Sequence, residues 1–310
     1  MVFVLIKFAI KDFMQDREYK NLSKSSITGY KFTLNEFHAY CVREEIIDSQ
    51  EVTGNTIKGY ILYCQKERKN NPKSCNHKLI NLKAFFNYLE KELDLYTPKS
   101  NPVSKISKLH EDVRIEVFTD HQIKLMLNYY ARLKYRDKSF YAMRDTSIIV
   151  TLIGTGVRLG ELVNIKWNDV SFEHNVITVF GKKRMQSSIP TTEKLMKELA
   201  EYRIYCERKF SKLPEYLFTD RDAKQCTPDA IKNVFQRLST AMNFDGVRLS
   251  AHTFRHYFAM KCLMGGMDVF SLQKMLRHTE LSMTEKYLSL WGTALKDVND
   301  KYNPLNGFDL

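Results

Sequence analysis

The chain has 310 residues and carries 48 lysines and arginines against 36 aspartates and glutamates, which gives a formal net charge of +12. Its hydrophobic share of 44% and charged share of 27% are those of a globular protein and exclude a disordered chain. This length exceeds that of one hydrophobic core and predicts two domains. The positive charge is divided equally about residue 110. It is typical of a nucleic-acid-binding protein, although an acidic lipid or protein surface would also match it.

The first residues, MVFVLIKFAIKDF, are apolar but are interrupted by Lys7 and Lys11. They predict an amphipathic first helix in preference to a signal peptide, and no other stretch approaches the length of a membrane span. The six cysteines are scattered and form no Cys-x-x-Cys pair. They predict reduced thiols, with neither a disulfide framework nor a zinc site, in a cytoplasmic protein that does not bind membranes.

Residues 1–96 are predicted to be a helical first domain. Ser23 is the expected N-cap of one helix, and another begins near Ser74. Each helix has an apolar face with spacings of three and four: Ile27, Tyr30, Leu34 and Phe37 on the first, and Leu79, Leu82, Phe86 and Leu89 on the second. The other face of the second helix carries Asn76, Lys78, Asn81 and Lys83. This face is predicted either to be solvated or to contact phosphates or bases.

Residues 97–114 have two prolines, three serines and no helical period, and they predict an extended, basic interdomain linker. Residues 115–310 are predicted to be the second domain. Thr119 and Gln122 form an expected capping box, and helices follow through about Leu162. The run Val176–Phe180, a Gly-Lys turn and a second short run to residue 189 predict a β-hairpin. Further helices follow, one of them capped by Thr227. The predicted fold is therefore mainly α with one small hairpin.

Three segments of the second domain stand out: GTGVRLGELVNIKWNDV, LSAHTFRHYFA and MLRHTELSMTEKYLSL. Each alone has an ordinary structural interpretation, such as an ion pair between Arg158 and Glu161 or a core tyrosine at 287. Their conjunction in this order favours one site. They contain Arg158, Glu161, His252, Arg255, His278 and Tyr287.

These segments resemble the signature boxes of the tyrosine recombinases, the family of phage integrases, Cre and Xer proteins. The boxes read approximately T-G-x-R-x-x-E-L, H-x-x-R-H and L-G-H-x-x-x-x-T-x-x-Y. The matching residues are Thr155, Gly156, Arg158, Glu161, Leu162, His252, Arg255, His256, His278, Thr284 and Tyr287. One departure is visible, because Arg277 stands where the family commonly has glycine. It is expected to affect the local turn, and through it rate and regulation, without changing the chemistry.

The resemblance implies a two-domain recombinase, with a SAM-like core-binding domain over residues 1–96 and a catalytic domain over 115–310. It implies that Tyr287 attacks DNA to give a 3′-phosphotyrosine and a free 5′ hydroxyl. By the same resemblance His252 accepts the phenolic proton, His278 donates a hydrogen bond to the phosphate, and Lys182, on the hairpin turn, protonates the leaving oxygen. Glu161 is expected to orient the site.

The residue types suit this chemistry independently of the resemblance. Arg158 and Arg255 could each hold a phosphate through a planar, bidentate guanidinium and stabilise the charge of the transition state without a metal. A phenol has an ordinary pKa of about 10 and needs a proton acceptor and a cationic surrounding to attack at neutral pH. No Walker loop and no cluster of carboxylates for two metals is seen in the sequence. We therefore expect no cofactor and no metal.

The expected partner is double-stranded DNA with inverted half-sites, bound as a dimer per site and a tetrameric synapse. The two domains would clamp the duplex, and the candidate DNA contacts are Lys24, Lys31, Lys78, Asn81 and Lys232. The tail after Tyr287 carries an apolar stripe of Leu290, Trp291, Leu295 and Val298. This stripe is predicted either to pack on its own domain or to dock on a neighbouring protomer.

Two other functions remain open at this point. A catalytically silent DNA-binding regulator would keep the scaffold, but here every catalytic position is filled. A type IB topoisomerase uses similar chemistry and would relax plasmids without a preferred sequence. Among recombinases, integration, excision, dimer resolution and inversion are equally compatible with the sequence.

Overall fold

Residues 4–111, 115–181 and 186–288 are the part of the chain that this computed structural model describes. The chain divides into two compact units, Met1–Val113 and Arg114–Leu310. The helices of the first unit are α1 (Ile6–Tyr19), α2 (Lys24–Arg43), α3 (Gly54–Lys66) and α4 (Pro72–Lys91). The elements of the second are α5 (Asp120–Asp137), α6 (Phe140–Thr155), α7 (Leu159–Leu162), β1 (Val170–Ser171), β2 (Val176–Phe180), β3 (Gln186–Pro190), α8 (Glu193–Phe210), α9 (Pro228–Met242), α10 (Ala251–Met264), α11 (Val269–Leu276) and α12 (Ser282–Glu285). The predicted fold class is confirmed.

The first unit is built around its own aromatic core. Phe13, Phe37, Tyr60, Phe85 and Phe86 are fully buried. Their rings meet edge to face, with centroids between 5.1 and 6.0 Å apart, an arrangement that the quadrupoles of aromatic rings favour. These contacts join all four helices of the unit.

Local capping chemistry explains where the helices of the first unit begin. Ser23 Oγ accepts a hydrogen bond from the Ser26 amide (3.2 Å), so α2 begins where predicted. The fourth helix begins two residues before the predicted Ser74. Asn71 caps it by accepting from the Ser74 amide (2.8 Å), and Pro72 takes the first helical position.

The structure differs from the sequence prediction along the supposed linker. The described part of this stretch folds back on the first unit, with Val103 and Ile106 buried in its core. The backbone amide and carbonyl of Leu109 both bond the Asn76 side chain at 2.8 Å. An extended chain has no such contacts, and the division between the units falls at the end of the stretch.

The second unit confirms the predicted caps. Thr119 Oγ1 accepts from the Gln122 amide (3.2 Å), while Gln122 Oε1 accepts from the Thr119 amide (2.9 Å). Thr227 Oγ1 accepts from the Ala230 amide (3.1 Å), and Pro228 takes the first position of α9. Strands β1, β2 and β3 form an antiparallel sheet in that order. The hairpin turn over residues 182–185, which includes Lys182, lies outside the described residues.

Gly156 fixes the approach of α10 to the end of α6. It ends α6 in the left-handed conformation, with φ of +57°. A Cβ built at this position would lie 2.6 Å from Cδ1 of Phe258 on α10. Only glycine satisfies both constraints at low cost. The turn therefore places the next residues of the first box beside α10.

Among the described residues, no helix has both the length and the apolar character that a membrane span requires.

Candidate active site

Glu161 lies at the centre of the first box. It is buried at the end of the short helix α7. Its Oε2 accepts from the Arg158 amide and its Oε1 from Arg158 Nη1, both at 2.8 Å. The Arg158 side chain remains 33% exposed. The carboxylate therefore holds Arg158 while leaving part of its guanidinium accessible to a ligand.

Arg255 joins three parts of the second unit. It projects from α10, where its Nη1 donates to the carbonyl of Gly156 (2.7 Å) and its Nη2 to the carbonyl of Leu276, at the end of α11. Burial, and then the positive charges of Arg158 and Arg277, lower the pKa of Arg255 to about 9. Arg255 is still protonated at neutral pH. Like charges held together in this way favour binding of an anion.

The hydroxyl of Tyr287 lies 2.8 Å from Nδ1 of His256. The tyrosine is 2% exposed and packs with apolar residues of α10 and α11. Burial raises the pKa of Tyr287, and the charges of Arg255 and Arg158 oppose that rise. The resting phenol is therefore protonated at neutral pH, with an imidazole in place to accept the proton.

His278 follows α11 and is held by Thr284, whose Oγ1 lies 2.8 Å from its Nδ1. Burial, and then the charges of Arg255 and Arg158, lower the pKa of His278 to about 3. The imidazole is neutral at physiological pH. When Thr284 donates to Nδ1, the proton of the neutral ring is on Nε2, which suits a hydrogen bond to a phosphate oxygen.

The histidine at the tyrosine is not the predicted one. His252 was expected to accept the phenolic proton, but it lies exposed one turn earlier on α10. The centroids of the His252 and His256 rings are 6.4 Å apart. His256 is the final histidine of the H-x-x-R-H box, so the sequence contained a signal for it. The spacing of the box does not tell which imidazole meets the hydroxyl, because that depends on how the Tyr287 segment packs on α10.

Arg277 ends α11 in the left-handed conformation, with φ of +55°. The turn is thus the one that glycine favours, built with an arginine. Its Nη2 donates to Glu161 Oε2 (2.8 Å) and its Nε to Glu161 Oε1 (3.4 Å). Burial alone would raise the pKa of Glu161, but the contacts with Arg277 and Arg158 outweigh it and lower the pKa. Glu161 is therefore an ionised carboxylate between two guanidinium groups.

Two of the predicted DNA contacts do not lie on the exposed surface of the first unit. Lys78 and Asn81 are buried within the first unit. Lys78 Nζ bonds Glu36 Oε1 (2.5 Å), and Asn81 Nδ2 donates to Thr33 Oγ1 (2.8 Å). Polar partners on α2 allow this side of α4 to pack inward, which the sequence of α4 alone does not reveal. The other candidates, Lys24, Lys31 and Lys232, are exposed.

A cavity of about 890 Å³ in the first unit lies beside these buried groups. Its lining includes four exposed basic residues: Arg68, Lys73, His77 and Lys108. Sequence reasoning missed them because they come from separate segments. Within the described ranges, no three His, Cys, Asp or Glu side chains come together as a metal site requires. Lys182 and the apolar tail stripe at 290–298 lie outside those ranges.

Comparison with known proteins identifies the family. Residues 116–291 match the Phage integrase family, and residues 10–94 match the Phage integrase, N-terminal SAM-like domain. Since the first match covers more than half of the chain, the chain belongs to the phage integrase family, and the resemblance predicted from the three boxes is confirmed. By class it is a site-specific tyrosine recombinase.

Individual relatives are distant but cover most of the chain. The tyrosine recombinase XerC of Leptospira interrogans serogroup Icterohaemorrhagiae serovar copenhageni (strain Fiocruz L1-130) is 28% identical over 285 residues, which are 92% of this chain and 89% of that protein. A tyrosine recombinase of Agathobacter rectalis (strain ATCC 33656 / DSM 3377 / JCM 17463 / KCTC 5835 / VPI 0990) is 26% identical over 299 residues, 93% of this chain and 94% of that one.

Solved structures share the fold. The Tn1549 transposon integrase in complex with transposon right end DNA aligns with a TM-score of 0.75 at 20% identity, covering 92% of this chain and 94% of the other. A lambda integrase tetramer bound to a Holliday junction aligns with a TM-score of 0.70 at 16% identity, covering 92% of this chain and 77% of that one.

Proposed function

We propose that this chain cleaves DNA at specific sites through a 3′-phosphotyrosine at Tyr287 and then rejoins the strand to a new partner. The observation that carries the proposal is the 2.8 Å contact between the Tyr287 hydroxyl and His256, within reach of the charges of Arg158 and Arg255. A nucleophile, a base and two phosphate-binding cations are the parts that the reaction needs.

In the proposed step the Tyr287 oxygen bonds to the scissile phosphorus as the bond from phosphorus to the 5′ oxygen breaks. His256 accepts the phenolic proton, and Lys182, from its place in the sequence, supplies a proton to the departing 5′ oxygen. Arg158 and Arg255 stabilise the charge on the non-bridging oxygens. The 5′ hydroxyl of a second strand reverses the step, so the phosphodiester energy is kept without ATP.

The proposed partner is double-stranded DNA with two inverted half-sites, bound by a dimer at each site and a tetramer at synapsis, in the cytoplasm. The tetrameric lambda integrase on a Holliday junction supports this assembly by its shared fold. The exposed Lys24, Lys31 and Lys232, together with the basic lining of the first-unit cavity, are the proposed phosphate contacts. Integration, excision, dimer resolution and inversion all use this assembly.

A nicked suicide substrate tests the covalent step. DNA trapped on the protein in its native cell supplies the site. A nick on the 3′ side of the scissile phosphate lets the short fragment with the free 5′ hydroxyl diffuse away. We expect an adduct at Tyr287 by denaturing electrophoresis and mass spectrometry, and none with Tyr287→Phe, which loses only the attacking oxygen and keeps DNA affinity. An adduct at another residue would overturn the assignment. Tight binding without any adduct would instead favour the silent regulator.

A further inference from the structure

Each nitrogen of the Arg277 guanidinium donates a hydrogen bond inside the protein. Its Nη2 and Nε donate to the two oxygens of Glu161, and its Nη1 donates to the carbonyl of Met275 (2.5 Å). Only 8% of the side chain is exposed, against 33% for Arg158. All three of its nitrogens therefore face protein acceptors.

The main chain of Arg277 contacts the same neighbour from the other side. Its carbonyl accepts a hydrogen bond from Nη2 of Arg158 (3.1 Å). Arg158 is thus held at two points, by Glu161 at Nη1 and by the Arg277 carbonyl at Nη2. Both points depend on residue 277, one through its side chain and Glu161, the other through its left-handed backbone.

An arginine at this backbone angle has a conformational cost that glycine avoids. The hydrogen bonds from the Arg277 side chain to Glu161 offset this conformational cost. With one carboxylate between two guanidinium groups, Glu161 cannot turn toward solvent without breaking two charge-assisted pairs. The orientation of Arg158 is therefore fixed before DNA arrives.

We propose that Arg277 is a positioning residue that acts through Glu161 to hold Arg158 in the geometry for binding the scissile phosphate. This role rests on the proposed strand cleavage. It makes three arginines, and not two, responsible for the cationic site, one of them without contact to the substrate. It also explains how the site is ordered with an arginine at a position where the family resemblance leads one to expect glycine.

Single-turnover cleavage of the suicide substrate gives the first test. Arg277→Met keeps the length of the side chain but loses the charged fork, and we expect a cleavage rate roughly 10- to 100-fold lower, with DNA affinity unchanged within about twofold. Arg277→Lys should lose less, because it restores the charge without the fork. Arg203→Met is the matched control, since it removes an arginine from an exposed ion pair with Glu207 on α8 and should cleave normally.

A double-mutant cycle of Arg277→Met with Glu161→Gln tests whether Arg277 acts through Glu161. If Arg277 acts through Glu161, the double variant should lose about as much rate as the more damaging single variant. Additive losses would overturn the proposal, as would wild-type cleavage by Arg277→Met. Arg277→Gly removes the conformational cost of the left-handed turn together with the side chain. It therefore distinguishes a loss of positioning from a loss of folding stability. It should keep thermal stability and still lose cleavage rate.

A second measurement does not need cleavage at all. The guanidinium Nε–H signal of Arg158, assigned in arginine-labelled protein with Arg158→Lys, reports side-chain order. We expect its heteronuclear NOE to fall in Arg277→Gly and to be unchanged in Arg203→Met. Unchanged order of Arg158 in Arg277→Gly would overturn the positioning role. If the wild-type protein forms no adduct, the proposed cleavage fails, and this signal still decides whether Arg277 orders Arg158.

Discussion

At the level of single residues, packing determines which histidine contacts Tyr287. His252 and His256 belong to the same box and the same helix, yet only His256 has its Nδ1 within 2.8 Å of the Tyr287 hydroxyl among the contacts described. General base catalysis requires this kind of hydrogen-bond reach to the proton that is removed. This contact supports His256 as the acceptor in the proposed chemistry, while His252 lies on the exposed side of α10.

We expect His256→Asn to lower single-turnover cleavage by roughly 100-fold, the usual lower size of a general base contribution. Asparagine keeps a hydrogen-bonding atom near the Nδ1 position but is not basic. His252→Asn is the comparison, expected to lose less than about tenfold. Both variants should bind the site as the wild type does. If His252→Asn were the more damaged of the two, the predicted role of His252 would be restored.

The candidate site residues and the ion pair between Arg158 and Glu161 were predictable from sequence, but the contact between Tyr287 and His256 was not. Arg158, Glu161 and Tyr287 follow from the spacing of the boxes, which packing on α10 brings together. The burial of Lys78 was not predictable for a different reason. A lysine on the polar side of a helix is normally solvated, and only the presence of Glu36 on another helix makes its burial acceptable.

At the level of elements, predictions held where the determining chemistry is local. The caps at Thr119 and Thr227 are formed within a few residues of sequence, so the starts of α5 and α9 were correctly predicted. The linker prediction rests on prolines and serines, which describe only the local backbone. The burial of Val103 and Ile106 depends on a surface made by distant helices.

The contact between the end of α6 and α10 leaves no room for a side chain at Gly156. Gly156→Ala should lower the free energy of unfolding by about 2–4 kcal/mol, since it combines a left-handed β-carbon with a clash against Phe258. Gly160→Ala is the matched control, because a Cβ there meets nothing within 4 Å. It should be neutral or slightly stabilising in a helix. Urea unfolding measures both, and equal stabilities would contradict the account of this turn.

At the scale of the whole molecule, the chain is two units with separate cores. The first closes around aromatic rings and includes the segment after α4, while the second encloses α6 and carries the candidate active site. The positive charge is shared by both halves. The length and charge of the chain were sufficient to predict two basic domains, but the place of division required the structure.

A fragment of residues 1–113 should fold cooperatively on its own, whereas a fragment of residues 1–96 should be less stable by about 2 kcal/mol or more. Each fully buried Val or Ile side chain contributes about 1.5–3 kcal/mol, and part of this is offset by the entropy of ordering the segment. Thermal unfolding followed by circular dichroism compares the two. Equal stability would show that the segment after residue 96 is a linker after all.

A tyrosine with 2% of its surface exposed meets almost no bulk water. In the proposed chemistry this decides between two competing fates of a broken strand. Water attacking the phosphotyrosine would leave a permanent nick, whereas a strand hydroxyl delivered by the assembled complex would seal it. Phe258, Leu272 and Leu276 contribute the apolar surroundings of Tyr287. If these surroundings are kept after cleavage, they disfavour hydrolysis and so favour resealing of the DNA.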